Sequence, residues 1–244
     1  MDLGREKYHL FRTPWDAFPD VVIHSEERFV KSHPLYSSAK EGNATAAEGL
    51  VEDVMAMAEL GALLQLINSS RPFLLPVHAL ETEGMNVIPR VFARALSQLY
   101  DLPVFSGVIQ INRVTHTGAS GYHRLAFPAI FDGEVVPANY LLVDDFIGQG
   151  GTLANLKGLV ETKGGKVIGA TALTGKTYSA KLRPDGQVLS DLRRKYGEPL
   201  EEWWSATFGY SFERLTQSEA RYLTRVDNAH AIPERLALAR RAGD

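Results

Sequence analysis

Four apolar residues, Tyr140-Leu141-Leu142-Val143, run directly into two adjacent acids, Asp144 and Asp145. After Phe146 and Ile147 the chain turns to glycine, in Gly148-Gln149-Gly150-Gly151-Thr152. Few folds accommodate that order. An uninterrupted apolar strand is covered on both faces, as in a parallel sheet flanked by helices. Two carboxylates at its carboxyl end then stand where open α/β sheets take ligands. Gly148, Gly150 and Gly151 permit positive φ and let backbone N–H groups converge on an anion. Leu153, Leu156 and Val160 mark a helix that begins near Thr152 and ends near Gly164-Gly165. Its first turn adds unpaired N–H groups and a favourable dipole, and the Thr152 hydroxyl caps it and donates to the same anion. Carboxylates beside an anion site call for ribose hydroxyls to accept from, or for a Mg²⁺ ion held by Asp144 and Asp145.

The surrounding pattern agrees. Phe73 to His78 reads as a short buried strand, weakened at Pro76. Ala79 to Gly84 is a loop, and Ile88, Phe92, Leu96 and Leu99 share one face of a helix. Val104 to Ile111 is a second strand, residues 112 to 133 are a glycine-bearing irregular stretch, and Val167 to Leu173 is a strand after the central motif. The expected fold is α/β: an open, mostly parallel twisted sheet flanked by helices, with helical additions at both ends. Residues 72–176 form the core. Residues 1–71 are an N-terminal extension, in which Val21-Val22-Ile23 reads as a strand and a capping box at Thr45–Glu48 starts a helix running to about Ile67. Residues 177–244 are mainly helical, with a second capping box at Thr216–Glu219 and Pro233 in the first turn of a last helix.

The central segment resembles the 5-phosphoribosyl-1-pyrophosphate (PRPP) motif of the type I phosphoribosyltransferases: apolar strand, two acids, two apolar residues, then a short loop ending in Thr or Ser. The resemblance implies that Asp144 and Asp145 hold the ribose 2- and 3-hydroxyls. It also implies that Phe146, Ile147 and Gly148 through Thr152 form the 5-phosphate site. Phe146 stands where an aliphatic is usual, and Gly148 and Gln149 where small hydroxylated residues are usual.

The resemblance covers roughly residues 72 to 176. The loop that binds pyrophosphate in the family corresponds to His78-Ala79-Leu80-Glu81-Thr82-Glu83-Gly84. Gly84 and the following helix suit that role, whereas Glu81 and Glu83 repel pyrophosphate unless they point away or hold Mg²⁺. The family's mobile loop, which closes over the reaction, corresponds to residues 112–133. Arg124 is the first candidate there for stabilising departing pyrophosphate and Arg113 the second, with His116, Tyr122 and His123 nearby. Lys176 follows the fourth strand, where purine-using members place a base-contacting lysine. The implied activity is transfer of the 5-phosphoribosyl group from Mg²⁺–PRPP to a nitrogenous base, with release of pyrophosphate. A reverse or hydrolytic reaction on a nucleotide belongs to the same reading. The alternative is a non-catalytic PRPP or nucleotide sensor of the same fold. The family is often dimeric, so a homodimer is the expected assembly.

Composition narrows the partners. The chain has no cysteine, which excludes a disulfide scaffold, a thiolate zinc site and a cysteine nucleophile, and suits a reducing, cytoplasmic setting. A formal net charge of −3 argues against nucleic acid and anionic membranes as partners, in favour of a small-molecule substrate. The charged start MDLGREKYHLF is not that of a secretory signal, and no apolar run has membrane-spanning length. Ala170 to Thr177 fits a relaxed nucleotide P-loop pattern, but its first residues suit a strand better than a phosphate loop. The aromatics Trp203, Trp204, Phe208, Tyr210 and Phe212 read as core or subunit packing.

Overall fold

A computed structural model describes residues 10–55, 61–68, 70–78, 80–81, 84–112 and 120–243. The chain opens with β1 (Val22–Glu26), α1 (Glu27–Lys31), α2 (Tyr36–Lys40), α3 (Ala44–Met55) and α4 (Gly61–Ile67). There follow β2 (Phe73–Pro76), a small antiparallel hairpin of β3 (Leu80–Glu81) and β4 (Gly84–Met85), and α5 (Ile88–Tyr100). Next come β5 (Val108–Gln110), α6 (Gly121–Ala126), β6 (Phe131–Gly133), β7 (Asn139–Ile147), α7 (Gly151–Thr162) and β8 (Lys166–Gly175). The last helices are α8 (Gly186–Phe208), α9 (Gln217–Thr224) and α10 (Ala231–Gly243).

The main sheet is parallel throughout, in the order β1-β8-β7-β2. Beyond β2, Val104 makes a single parallel bridge to Leu74. After β2 the chain therefore steps outward to Val104, then returns to β7 on the other side of β2. The sequence reverses direction across the sheet there, and ligands of open α/β sheets bind at such a point, beyond the carboxyl ends of the strands.

Side chains of β7 alternate between two cores, as the pleat requires. Leu141 and Val143 pack with Ile88, Phe92 and Leu96 of α5 and with α3. Tyr140 and Leu142 pack with Leu153, Leu156 and Val160 of α7. A third core lies away from the sheet. It joins α8, α9 and α10 to Tyr122, Leu125 and Ala126 of α6, around the fully buried Trp204. Trp204 meets Phe208 at a ring distance of 4.3 Å, so this aromatic group is packing.

Several expectations are revised. Val104–Ile111 is not one strand: Val104 bridges to the main sheet, whereas β5 pairs with β6 in a separate antiparallel ribbon. Leu99 is exposed although it shares the face that buries Ile88, Phe92, Ala93 and Leu96, because it lies in the last turn of α5. The N-terminal helix starts at Ala44, with Asn43 Oδ1 accepting from Ala46 N at 3.0 Å; Thr45 lies inside it. The second box forms as expected, with Thr216 Oγ1 accepting from Glu219 N and Glu219 accepting from Thr216 N. The segment that fits a relaxed P-loop pattern is strand through Gly175, in line with the preference of its first residues for a strand. Residues 22–26, set apart as an extension, form an edge strand of the sheet. Among the described residues no helix is long and apolar enough to cross a membrane.

Candidate functional site

The acid pair lies inside β7, not beyond it, because the strand continues to Ile147. Adjacent strand residues face opposite ways. Asp145 turns to the side where α2 ends, and Lys40 Nζ reaches its Oδ2 at 3.0 Å. Its backbone N–H donates to Asp144 Oδ1 at 2.9 Å. Both acids are buried. Burial and the charge of Asp145 push Asp144 well above the usual carboxylate range. Burial alone would raise Asp145 too, but Lys40 and hydrogen bonds from Asp144 and Asn86 bring it below that range. Burial thus favours the protonated form at Asp144, while Lys40 favours the charged form at Asp145.

Gly150 is the N-cap of α7, with φ +81°. Thr152 sits in the first turn, so it does not cap the helix. Gly148 and Gly151 do not use the positive-φ freedom expected of them. Their lack of a side chain matters for other reasons. A Cβ on Gly148 would stand 2.8 Å from Arg124 Nη1, and one on Gly151 would stand 2.7 Å from Glu219 Oε1. Arg124 is thus laid against the turn by α6. Its half-buried guanidinium is weakened by burial and supported by Glu27 and Tyr178. Phe146 carries Lys31 over its ring, with Nζ 4.4 Å from the centroid. The departure from an aliphatic here supplies a seat for a cation.

A cavity of about 160 Å³ gathers these groups. Its lining includes Lys31, Lys40, Arg124, Asp144, Asp145 and every residue from Phe146 to Thr152. Val77 and Asn86, which bracket the proposed pyrophosphate loop, line it as well. His78 does not; its carbonyl accepts from Gln110 N at 2.9 Å, and burial with the nearby Arg90 lowers its pKa. Leu80, Glu81 and Gly84 lie in the β3–β4 hairpin rather than an open loop. Ala79, Thr82, Glu83, Arg113 and His116 lie outside the described residues. Tyr122 is core, and the His123 ring packs on Phe127 at 4.7 Å. Lys176 lines a second cavity that shares Gly148 and Gln149 with the first.

Behind the turn is a group that local pattern did not announce. Arg12, almost fully buried, donates to Glu219 Oε2 at 2.6 Å, to Glu219 Oε1 at 2.8 Å and to Asn155 Oδ1 at 2.8 Å. Thr216 Oγ1 donates to the carbonyl of Gln149 at 2.6 Å. Lys40 and Asn86 were equally hidden, since Lys40 is 105 residues from its partner. Among the described residues no group of three or more His, Asp or Glu side chains is placed to hold a metal ion.

Fold and site together define an open α/β sheet protein with a glycine turn and helix N-terminus beside a buried acid pair. No family model matches the chain. It is 38% identical over 230 residues to Protein TraN of Escherichia coli, a match that covers 94% of this chain and 51% of that protein. It is 38% identical over 160 residues to an uncharacterized protein of Haemophilus influenzae, covering 65% of this chain and 36% of that one. The chain thus spans about half the length of the first relative and about a third of the second.

Proposed function

We propose that this chain binds Mg²⁺–PRPP at the β7–α7 turn and transfers the 5-phosphoribosyl group to a nitrogenous base. The fold in this reading is a type I phosphoribosyltransferase core. One observation carries it: a buried acid pair, an open helix N-terminus and Arg124 converge on one cavity at the reversal point of the sheet.

In this reading the 5-phosphate sits on the N–H groups of Gly148 to Thr152 and the Thr152 hydroxyl. Asp145 accepts from one ribose hydroxyl and Asp144 hydrogen-bonds to the other. The bond from the anomeric carbon to pyrophosphate breaks, and its electron pair leaves with pyrophosphate. A ring nitrogen of the base forms the new bond, and its proton passes to solvent. Arg124 and Lys31 stand at the rim to meet the departing charge. Asp145 is already paired with Lys40 at 3.0 Å, and among the described residues no group of three or more His, Asp or Glu side chains is placed to hold a metal ion. Mg²⁺ belongs with the diphosphate of the substrate, where it neutralises leaving-group charge.

Pyrophosphate release from Mg²⁺–PRPP with a panel of bases tests the reading. Replacing Asp144 and Asp145 together by Ala is expected to weaken PRPP by at least about 100-fold, since hydrogen bonds to charged groups contribute about 1.5–3 kcal/mol each. Inorganic phosphate should lose far less. Equal losses for the two ligands would show that the acids do not hold the ribose.

A second reading, a non-catalytic PRPP or nucleotide sensor, is favoured by the hydrogen bond from Thr216 to Gln149. That bond gives α9 a direct hold on the turn, through which occupancy is transmitted. PRPP binding with no turnover on any base selects this reading.

A further inference from the structure

The second cavity, about 830 Å³, adjoins the first and shares Lys31, Arg124, Phe146, Gly148 and Gln149 with it. Its volume lies within the usual range for small-ligand sites, whereas the first cavity alone is smaller than that range. Its charge is lopsided for a chain with a net charge of −3. Five cations line it, Lys31, Arg124, Lys176, Arg221 and Arg225, against one acid, Glu27. Glu27 is already paired with Lys31 at 2.5 Å. Lys176, Arg221 and Arg225 make no ion pair among the described residues. Like charges gathered round one hollow repel each other, and an anion among them relieves that repulsion. Four elements distant in sequence build the cluster: α1, α6, the end of β8, and α9 with its C-terminal cap. Tyr178, exposed and with Lys176 Nζ 5.8 Å from its ring centroid, adds a flat apolar surface beside the charges.

We infer that the second cavity is the acceptor site and that the acceptor is an anionic ring compound, its carboxylate or phosphate held by Arg221, Arg225 and Lys176. This rests on the proposed function for the word acceptor, but the anion site itself does not. Guanidinium forks suit planar oxyanions, and Arg221 and Arg225 lie one turn apart on α9 and its C-terminal cap. The position fits as well. The cavity meets the ribose site across Gly148 and Arg124, so a ring held there faces the anomeric carbon of a sugar bound at Asp144 and Asp145.

The test uses matched probes on the whole chain. Nicotinate is compared with nicotinamide, and uracil-6-carboxylate with uracil, by calorimetry with and without Mg²⁺–PRPP. Ring phosphates such as pyridoxal phosphate form a third arm, which separates a phosphate anchor from a carboxylate anchor. An anionic probe is expected to bind at least tenfold more tightly than its neutral partner and to weaken with salt. Arg221→Gln with Arg225→Gln should remove that preference while PRPP affinity stays unchanged. Both residues are exposed, so the fold should survive. Equal binding of charged and neutral probes, or a preference that survives the double substitution, overturns the inference and leaves the PRPP reading standing. Anion preference without any PRPP binding does the reverse. A single-stranded oligonucleotide that displaces the ring probes at lower concentration would assign the cluster to a polymer and also overturn it.

Discussion

The turn at the end of β7 and the helical cap behind it are held by different physics. The turn is set between two apolar layers: Tyr140 to Val143 are fully buried on one side of it, and Leu153 and Leu156 nearly so on the other. Its geometry follows from short-range sterics, above all Gly150 at φ +81°. The cap is latched by polar contacts instead. Arg12 binds Glu219 with both oxygens engaged, Trp15 Nε1 donates to the carbonyl of Leu215 at 2.8 Å, and Thr216 holds Gln149. Apolar burial is distributed over many atoms and tolerates single changes. A buried ion pair concentrates its effect in two side chains, and removing one strands the other. The ligand-facing surface thus lies on a robust element, while the wall behind it depends on a few groups.

Removing one half of the latch is the strongest way to break that contrast. Arg12→Ala is expected to destabilise the chain by about 3–5 kcal/mol, leaving Glu219 buried and unpaired. Arg12→Met with Glu219→Leu should cost much less. Urea midpoints for both variants check this, and equal losses would mean that Arg12 acts through packing alone. Acid gives the next largest effect. His24 joins β1 to β8 through Thr171 Oγ1 at 2.7 Å, and burial lowers its pKa to about 4. The neutral ring is the folded form, so stability is full above about pH 6.5 and falls as the pH drops from there towards about 4. The shift corresponds to roughly 3 kcal/mol. His24→Gln should lose less stability than the parent between pH 7 and pH 4.5, and identical slopes would remove His24 from the account.

Within the turn the effects are smaller and bear on function. Arg124→Ala is expected to lower turnover by about 10–100-fold, with less change in PRPP affinity. An unchanged rate under single-turnover conditions would make Arg124 a packing group against Gly148. Gly150→Ala should cost about 1–2 kcal/mol for the left-handed backbone alone. The new Cβ would also stand 2.3 Å from Leu182 Cδ2, a flexible side-chain end. Thermal melts of Gly150→Ala beside Gly148→Ala separate the two causes, because only Gly150 carries the positive φ.

Much of the sheet was legible because its signals are short-range. The apolar run at 140–143, the glycines after Ile147 and the capping box at Thr216 each act within a few residues. Where pattern misled, a neighbour distant in the chain decided the outcome. Residues 104–111 contain one continuous strand signal, yet Val104 bridges to β2 while Val108–Gln110 pair with β6. The two acids were read at the end of their strand, whereas β7 runs on to Ile147, and their opposite pKa shifts depend on Lys40 from α2 and on Asn86, which no local pattern showed. Arg124 stood out only as a cation in an irregular stretch. Its place beside Gly148 follows from α6 packing into the C-terminal core.

The amino-acid order alone therefore determined a parallel α/β sheet with a glycine turn, acids at its edge and a helix leading away. Those features arise from strand burial, backbone sterics and helix ends, all readable over a dozen residues. Only the tertiary structure decided what surrounds the turn: Lys40 on Asp145, Arg12 and Glu219 behind Gly151, and the basic hollow between α1, α6, β8 and α9. Charges act through space, and which of them meet depends on how the flanking helices fold back, so no local stretch of sequence contains that information.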